Sequence, residues 1–131
     1  MFCDCISLKE LNLSNFNTNN VNDMEAIFEG SSSLNKLNIS NFNTQNVRNM
    51  KFMFNGCFSL KDLNLTNLNT NNITNMDGMF SICSSLKELN LSNFNTNYVT
   101  DMGGMFDGCS AKFQNKIRAQ YKNIKEEAFN N

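Results

Sequence analysis

The side chains in this sequence that could do chemistry are five cysteines and a row of charges. Cys5, Cys57, Cys83 and Cys109 recur at multiples of 26 residues, and Ser31 completes their column. A disulfide reading pairs neighbours, if successive repeats bring their Cα atoms within about 4.4–6.8 Å. A metal reading fails, because ligands spaced along a ladder do not surround an ion tetrahedrally. The remaining reading is a buried free thiol acting as a small hydrophobe, and Ser31 suits it. Cys3 falls in the column of Glu29, Asn55, Ser81 and Asp107, which makes it an exposed and oxidisable thiol. Asp62 and Glu88, one repeat apart, have the composition of a glycosidase acid and base. Nothing in the sequence forms a cleft around them, and Lys36 between Glu10 and Asp62 makes the column a ladder of ion pairs on a wet sheet. With no histidine in the chain, the usual general base is missing. No enzyme activity and no cofactor are expected.

These residues are positioned by a repeat. SLKELNLSNFNTNYVTDMGGMFDGC, residues 85–109, recurs 26 residues earlier as SLKDLNLTNLNTNNITNMDGMFSIC and again as SLNKLNISNFNTQNVRNMKFMFNGC. A fourth copy starts at Ser7, so residues 7–109 are four full repeats. A fixed period of this length marks a solenoid, in which each unit packs only on its neighbours. Met1-Phe2 matches Ile27-Phe28, Met53-Phe54, Met79-Phe80 and Met105-Phe106. The chain thus enters part-way through a unit with no polar cap before it, as a fragment of a longer array would; the alternative is a frayed first half-unit.

Within each unit, Leu11-Asn12-Leu13 alternates apolar and polar as a half-buried strand does. A strand near residues 10–14 should pair in parallel with its successors at about 4.8 Å. SNFNT then supplies turn-forming residues. Val21, Met24, Ile27 and Phe28 follow at i, i+3, i+6 and i+7, the face of a short helix, and Gly30, Gly56 and Gly108 stand where a left-handed residue ends one. Ile82 replaces that glycine in the third repeat, so the helix there should end differently or carry some strain. Beyond Ser110 the stripe Phe113, Ile117, Tyr121, Ile124, Ala128 describes one amphipathic helix over 111–131. Its lysines permit a membrane surface or a calmodulin-like partner; its place after the last repeat favours a lid. The fold class is therefore α/β: a leucine-rich-repeat solenoid of 26-residue coils over 1–110, with a parallel β-sheet on one face, short helices on the other and a C-terminal capping helix.

Lys and Arg number 11 against 12 Asp and Glu, so no net field attracts nucleic acid. No run is long enough for a membrane span, and no secretory leader precedes the repeats. Asn12, Asn38, Asn64, Asn90 and Asn72 fit the Asn-x-Ser/Thr acceptor pattern, although the repeat phrase itself generates the matches. Phe52 and Phe58 are apolar in largely polar or small columns, which marks a contact point or ordinary surface.

The phrase MFxxCxSLKxLNLSNFNTxNVTNM resembles the BspA-like leucine-rich repeats of bacterial surface proteins, mycoplasmal lipoproteins and protozoan surface antigens, over residues 1–110. The resemblance implies a right-handed solenoid at the cell surface or secreted, binding host matrix proteins or other cells. The chain departs from the pattern in having no signal sequence, anchoring cysteine or N-terminal cap, which leaves a cytoplasmic location or a fragment open. The expected function is a non-catalytic interaction or adhesion module that binds a protein or glycan through the strand face. The residues expected to carry it are Glu10, Asn12, Lys36, Asn38, Asp62, Asn64, Glu88 and Asn90. The alternative is a spacer or assembly element that self-associates through its N-terminal edge.

Overall fold

The computed structural model of the protein describes residues 1–130. Four short strands, β1 (Glu10–Asn12), β2 (Lys36–Asn38), β3 (Asp62–Leu63) and β4 (Glu88–Leu89), precede one α-helix, α1 (Ala111–Gln120), and a 3₁₀ turn, Glu126–Phe129. Pairing is parallel and keeps the sequence period: Glu10 faces Lys36, Leu11 faces Leu37, Asp62 faces Glu88 and Leu63 faces Leu89. The chain is a repeat fold in which equivalent residues of successive repeats lie side by side.

The strands are shorter than the alternation suggests. In every repeat the Asn after the strand leucine turns its Oδ1 onto the N–H two residues on: Ser14 donates to Asn12, Ser40 to Asn38, Thr66 to Asn64 and Ser92 to Asn90, at 2.9–3.0 Å. These Asx turns bend the chain away before residue 14. The expected single sheet is also divided, with β1 paired to β2 and β3 to β4. Strands of two or three residues give each neighbour only a few ladder bonds, so a gap between β2 and β3 loses little.

The expected short helices on the opposite face are not formed. That segment is a run of tight turns carrying an unbroken inter-repeat ladder. The N–H groups of Met24, Ala26, Phe28 and Gly30 donate to the carbonyls of Asn49, Lys51, Met53 and Asn55 at 2.8–3.0 Å. Met50, Phe52, Phe54 and Gly56 do the same to Asn75, Asp77, Met79 and Ser81, and Met76, Gly78, Phe80 and Ile82 to Asp101, Gly103, Met105 and Asp107. The intervening N–H groups close i→i−3 turns, as Met53 to Met50, Asn55 to Phe52 and Cys57 to Phe54. A helix would have kept every N–H within its own repeat; here alternate ones leave it. Successive i→i−3 turns still bring residues three and four apart to one side, which is why the apolar spacing imitates a helix.

The turns require a positive φ at two places per repeat, as type II turns do at their third position. Ala26, Phe52, Gly78 and Gly104 occupy one place, with φ of 55–59°; Asp4, Gly30, Gly56, Ile82 and Gly108 occupy the other. Phe52 lays its ring over Gly78, where a Cβ would otherwise stand, and Lys51 Nζ lies 4.8 Å from the ring centroid.

Inside, Phe28, Phe54, Phe80 and Phe106 are fully buried and stack at 5.5 Å between neighbouring ring centroids, with Phe2 on the first at 5.9 Å. Met24, Met50, Met76 and Met102 and the leucine columns fill the rest. The SNFNT phrase is more than a turn. Thr44 Oγ1 donates to the Asn69 carbonyl and accepts the Asn69 N–H, both at 2.8 Å; Thr18 with Asn43 and Thr70 with Asn95 repeat the clamp.

The C-terminal segment is not one helix. Ser110 caps α1 by accepting the Phe113 N–H, and the helix ends at Gln120. Phe113, Ile117, Ile124 and Ala128 are buried, but the chain leaves the helix so that Glu127 and Ala128 carbonyls can accept the N–H groups of Gly104 and Phe106. Phe129 then stacks on Phe106 at 5.7 Å. A continuous helix would leave those donors buried and unpaired, at about 1–3 kcal/mol each.

Ile82, at φ 58°, is a β-branched residue in the left-handed region, a position that costs about 1–2 kcal/mol. Its side chain is 44% exposed, so little packing is lost with it. Ile82→Gly should stabilise the protein by about 0.5–1 kcal/mol once the extra flexibility of unfolded glycine is offset. Thermal unfolding checks this, and an unchanged or lower midpoint would remove the strain.

Candidate binding surface

All eight strand-face residues named from the sequence are exposed. They divide into two groups. Glu10 and Lys36 pair across β1 and β2 at 3.3 Å. Glu88 pairs with Lys116 of α1 at 3.4 Å, and Asp62 has no ion-pair partner among the described residues. Exposed pairs of this kind contribute at most about 1 kcal/mol. Asn12, Asn38, Asn64 and Asn90 are less free than their exposure suggests, because each Oδ1 is held by its Asx turn. Their amide N–H groups remain to face a ligand.

The sequence offered no cleft beside Asp62 and Glu88, yet the fold supplies one. α1 rises at the edge of β4, and Lys116, Gln120 and Tyr121 form a wall beside the β3–β4 face. The resulting groove holds about 500 Å³ and is floored by Leu63 and Leu89. The Tyr121 hydroxyl lies 3.5 Å from the Leu89 carbonyl. The signal was present in the stripe spacing, but where α1 would dock on the last repeat was not.

Three cysteines of the column are structural, and Cys5 is half-buried. Cys57, Cys83 and Cys109 are buried, and each thiol lies 3.1–3.2 Å from the carbonyl of the phenylalanine 29 residues before it, Phe28, Phe54 and Phe80. Ser31 makes the same bond to Phe2 at 2.7 Å, which explains how serine serves in that column. Burial pushes the thiols of Cys57 and Cys109 up to about 12, and Cys83 well above its ordinary value. Cys3 is exposed, and its thiol is raised by desolvation and by the hydrogen bond to Asp4. Phe52 is half-buried on Gly78, while Phe58 is exposed. Among the described residues no cluster of His, Cys, Asp and Glu is arranged to hold a metal ion, and no helix is long and apolar enough to cross a membrane.

These features define a tandem-repeat protein with parallel inter-repeat pairing and an exposed polar strand face. The chain belongs to the family described as Mycoplasma protein of unknown function, DUF285, which matches residues 1–121. Among solved structures it is similar to a leucine rich repeat protein of T. pallidum, at 12% identity and a TM-score of 0.37, with 99% of this chain and 77% of that one covered. No curated protein matches the chain.

The thiol geometry has a pH consequence. In the folded chain Cys57 and Cys109 stay protonated to about 12, whereas an ordinary thiol ionises near 9.0. The unfolded chain therefore loses these protons first. Stability is intact below pH 9 and falls between 9 and 12, by about 1.4 kcal/mol per thiol for each pH unit above 9. Urea titrations at pH 8 and 10.5 should show the loss in the wild type and a smaller one in a Cys57→Ser, Cys83→Ser, Cys109→Ser variant. Equal losses in both would assign the alkaline sensitivity elsewhere.

Proposed function

We propose that the protein is a non-catalytic interaction module of the BspA-like type, a solenoid of 26-residue coils that presents its strand face to a partner at a cell surface. One observation carries this reading. The strand face carries two exposed columns, an unvarying one of Asn12, Asn38, Asn64 and Asn90 and a varying charged one of Glu10, Lys36, Asp62 and Glu88, neither of them needed for the core. Stacked repeats of this kind build extended surfaces suited to binding. The reading assigns no catalysis to Asp62 and Glu88: both are exposed and Glu88 is paired with Lys116.

A second reading rests on the outer face of the first repeat. There Phe2, Phe16, Met24 and Phe28 line an apolar recess of about 260 Å³, and Phe16 is 43% exposed. By the repeat register the Asp23 and Glu25 carbonyls face outward on that side, where they accept no N–H among the described residues. Two such ends brought together would set carbonyl against carbonyl. The polarity of the ladder thus favours a donor-edged partner over a symmetric dimer.

Two measurements test these readings. Purified protein should bind at least one member of a panel of matrix proteins and glycans, and a variant with Glu10, Lys36, Asp62 and Glu88 all changed to Ala should bind it at least tenfold more weakly with an unchanged melting point. Undiminished binding by the variant would move the site off the strand face. Sedimentation across a hundredfold concentration range should show a monomer; a symmetric dimer abolished by Phe16→Asp would overturn the polarity argument.

A further inference from the structure

We propose that the groove between the β3–β4 face and α1 is a carbohydrate-binding site for a short, neutral oligosaccharide; the proposal rests on the strand-face reading above and narrows it to one ligand class. The groove is lined by Asp62, Asn64, Glu88 and Asn90 from the strand side and by Lys116 and Tyr121 from the helix side.

Its chemistry is an ordered alternation of acceptors and donors. Asp62 and Glu88 lie side by side in register, giving two carboxylate acceptors carried on backbones about 4.8 Å apart. Two residues along, about 6.6 Å further, stand Asn64 and Asn90. Asn64 Oδ1 accepts both the N–H and the hydroxyl of Thr66, and Asn90 Oδ1 accepts the Ser92 N–H, so the free polar groups of these amides are chiefly their N–H donors. A row of acceptors beside a row of fixed donors matches a ligand whose every polar group both donates and accepts, which is the property of a sugar hydroxyl. Tyr121 is half-buried at the groove wall, and an aromatic ring gives the C–H face of a pyranose an apolar surface to pack on.

A protein partner fits this groove poorly. Protein interfaces depend on a few large apolar or aromatic anchors driven into pockets. The exposed large apolar residues are Met1, Ile6, Phe16, Phe58, Ile82 and Tyr98, and none of them lines the groove. Charge narrows the ligand further. Lys116 neutralises Glu88, which leaves the Asp62 carboxylate to repel sulfated or sialylated chains. The β1–β2 face differs: Lys36 stands where the β3–β4 face has a second carboxylate, it ties up Glu10, and no helix walls that face.

The test is direct binding of the full chain to an array of neutral, sulfated and sialylated oligosaccharides, with matrix proteins as a separate arm. A neutral oligosaccharide should bind. Asp62→Ala with Glu88→Ala should weaken it tenfold or more, and Tyr98→Ala, at an exposed position outside the groove lining, should leave it within twofold. All three positions are exposed, and equal melting points would certify both variants as folded. Neutral glycan binding that survives the Asp62, Glu88 variant would overturn the proposal, as would binding confined to acidic glycans. Binding only to a matrix protein, lost in the fourfold strand-face variant, would overturn the glycan claim and leave the strand-face reading standing. No binding in any arm would overturn both.

Discussion

The constraint on which this structure depends is the direction of alternate backbone N–H groups between residues 24 and 30 and in each later copy of that segment. Each of them must point into the next repeat, while the N–H between closes a turn within its own. From Met50 to Cys57 every donor is accounted for: four bond to the next repeat, three close turns, and the Lys51 N–H goes to Asn49 Oδ1. Buried backbone groups leave little room for another solution. The two left-handed positions per repeat follow from this alternation, and so does the burial of Met, Met and Phe on the inner side. The phenylalanine stack is then a consequence of register, because fixing the backbone at Phe54 and Phe80 fixes their rings.

The same constraint explains the C-terminal segment. Any array of this kind ends with donors projecting from its last copy, here Gly104 and Phe106. Residues 123–129 meet them with carbonyls and supply a ring for the exposed face of Phe106, although they share no spacing with the repeat. Asn123 reaches back to the Phe94 carbonyl and receives the Thr96 hydroxyl on its own carbonyl, serving in the places that asparagines hold elsewhere. Arg118 lies 4.2 Å over Phe129 and bonds Glu126 at 3.0 Å, holding the substitute in place from α1.

How much of this was legible in the sequence depends on which periodicity carried the information. The 26-residue register was legible because every column repeats, and the pairing of Asp62 with Glu88 and the burial of Cys57, Cys83 and Cys109 follow from it, while Cys5 in the first, partial repeat is only half-buried. The turn run was not, because Val21, Met24, Ile27 and Phe28 have the same spacing in a helix as in successive i→i−3 turns; only the left-handed positions distinguish them, and two of the five at the Gly30 place, Asp4 and Ile82, are not glycine. Asn-x-Ser was legible as a phrase but not as an Asx turn, which depends on where the side chain points. The groove was invisible since it needs α1 to stop at Gln120, and residues 121–129 contain neither glycine nor proline to announce a break.

The location of the unbroken ladder bears on what the opposite face is free to do. Twelve inter-repeat bonds among the four turn segments hold the repeats together on the side away from the strands, so the strand side can do without backbone pairing between β2 and β3. That break in the pairing divides the face. On one half Glu10 and Lys36 satisfy each other; on the other Asp62 stands open and Glu88 is met from outside the repeat by Lys116. A face that carried the stability of the array would tolerate neither the gap nor the change of charge from one repeat to the next. Relieved of that task, the outward strand positions can differ between repeats, and their differences are what a ligand would read.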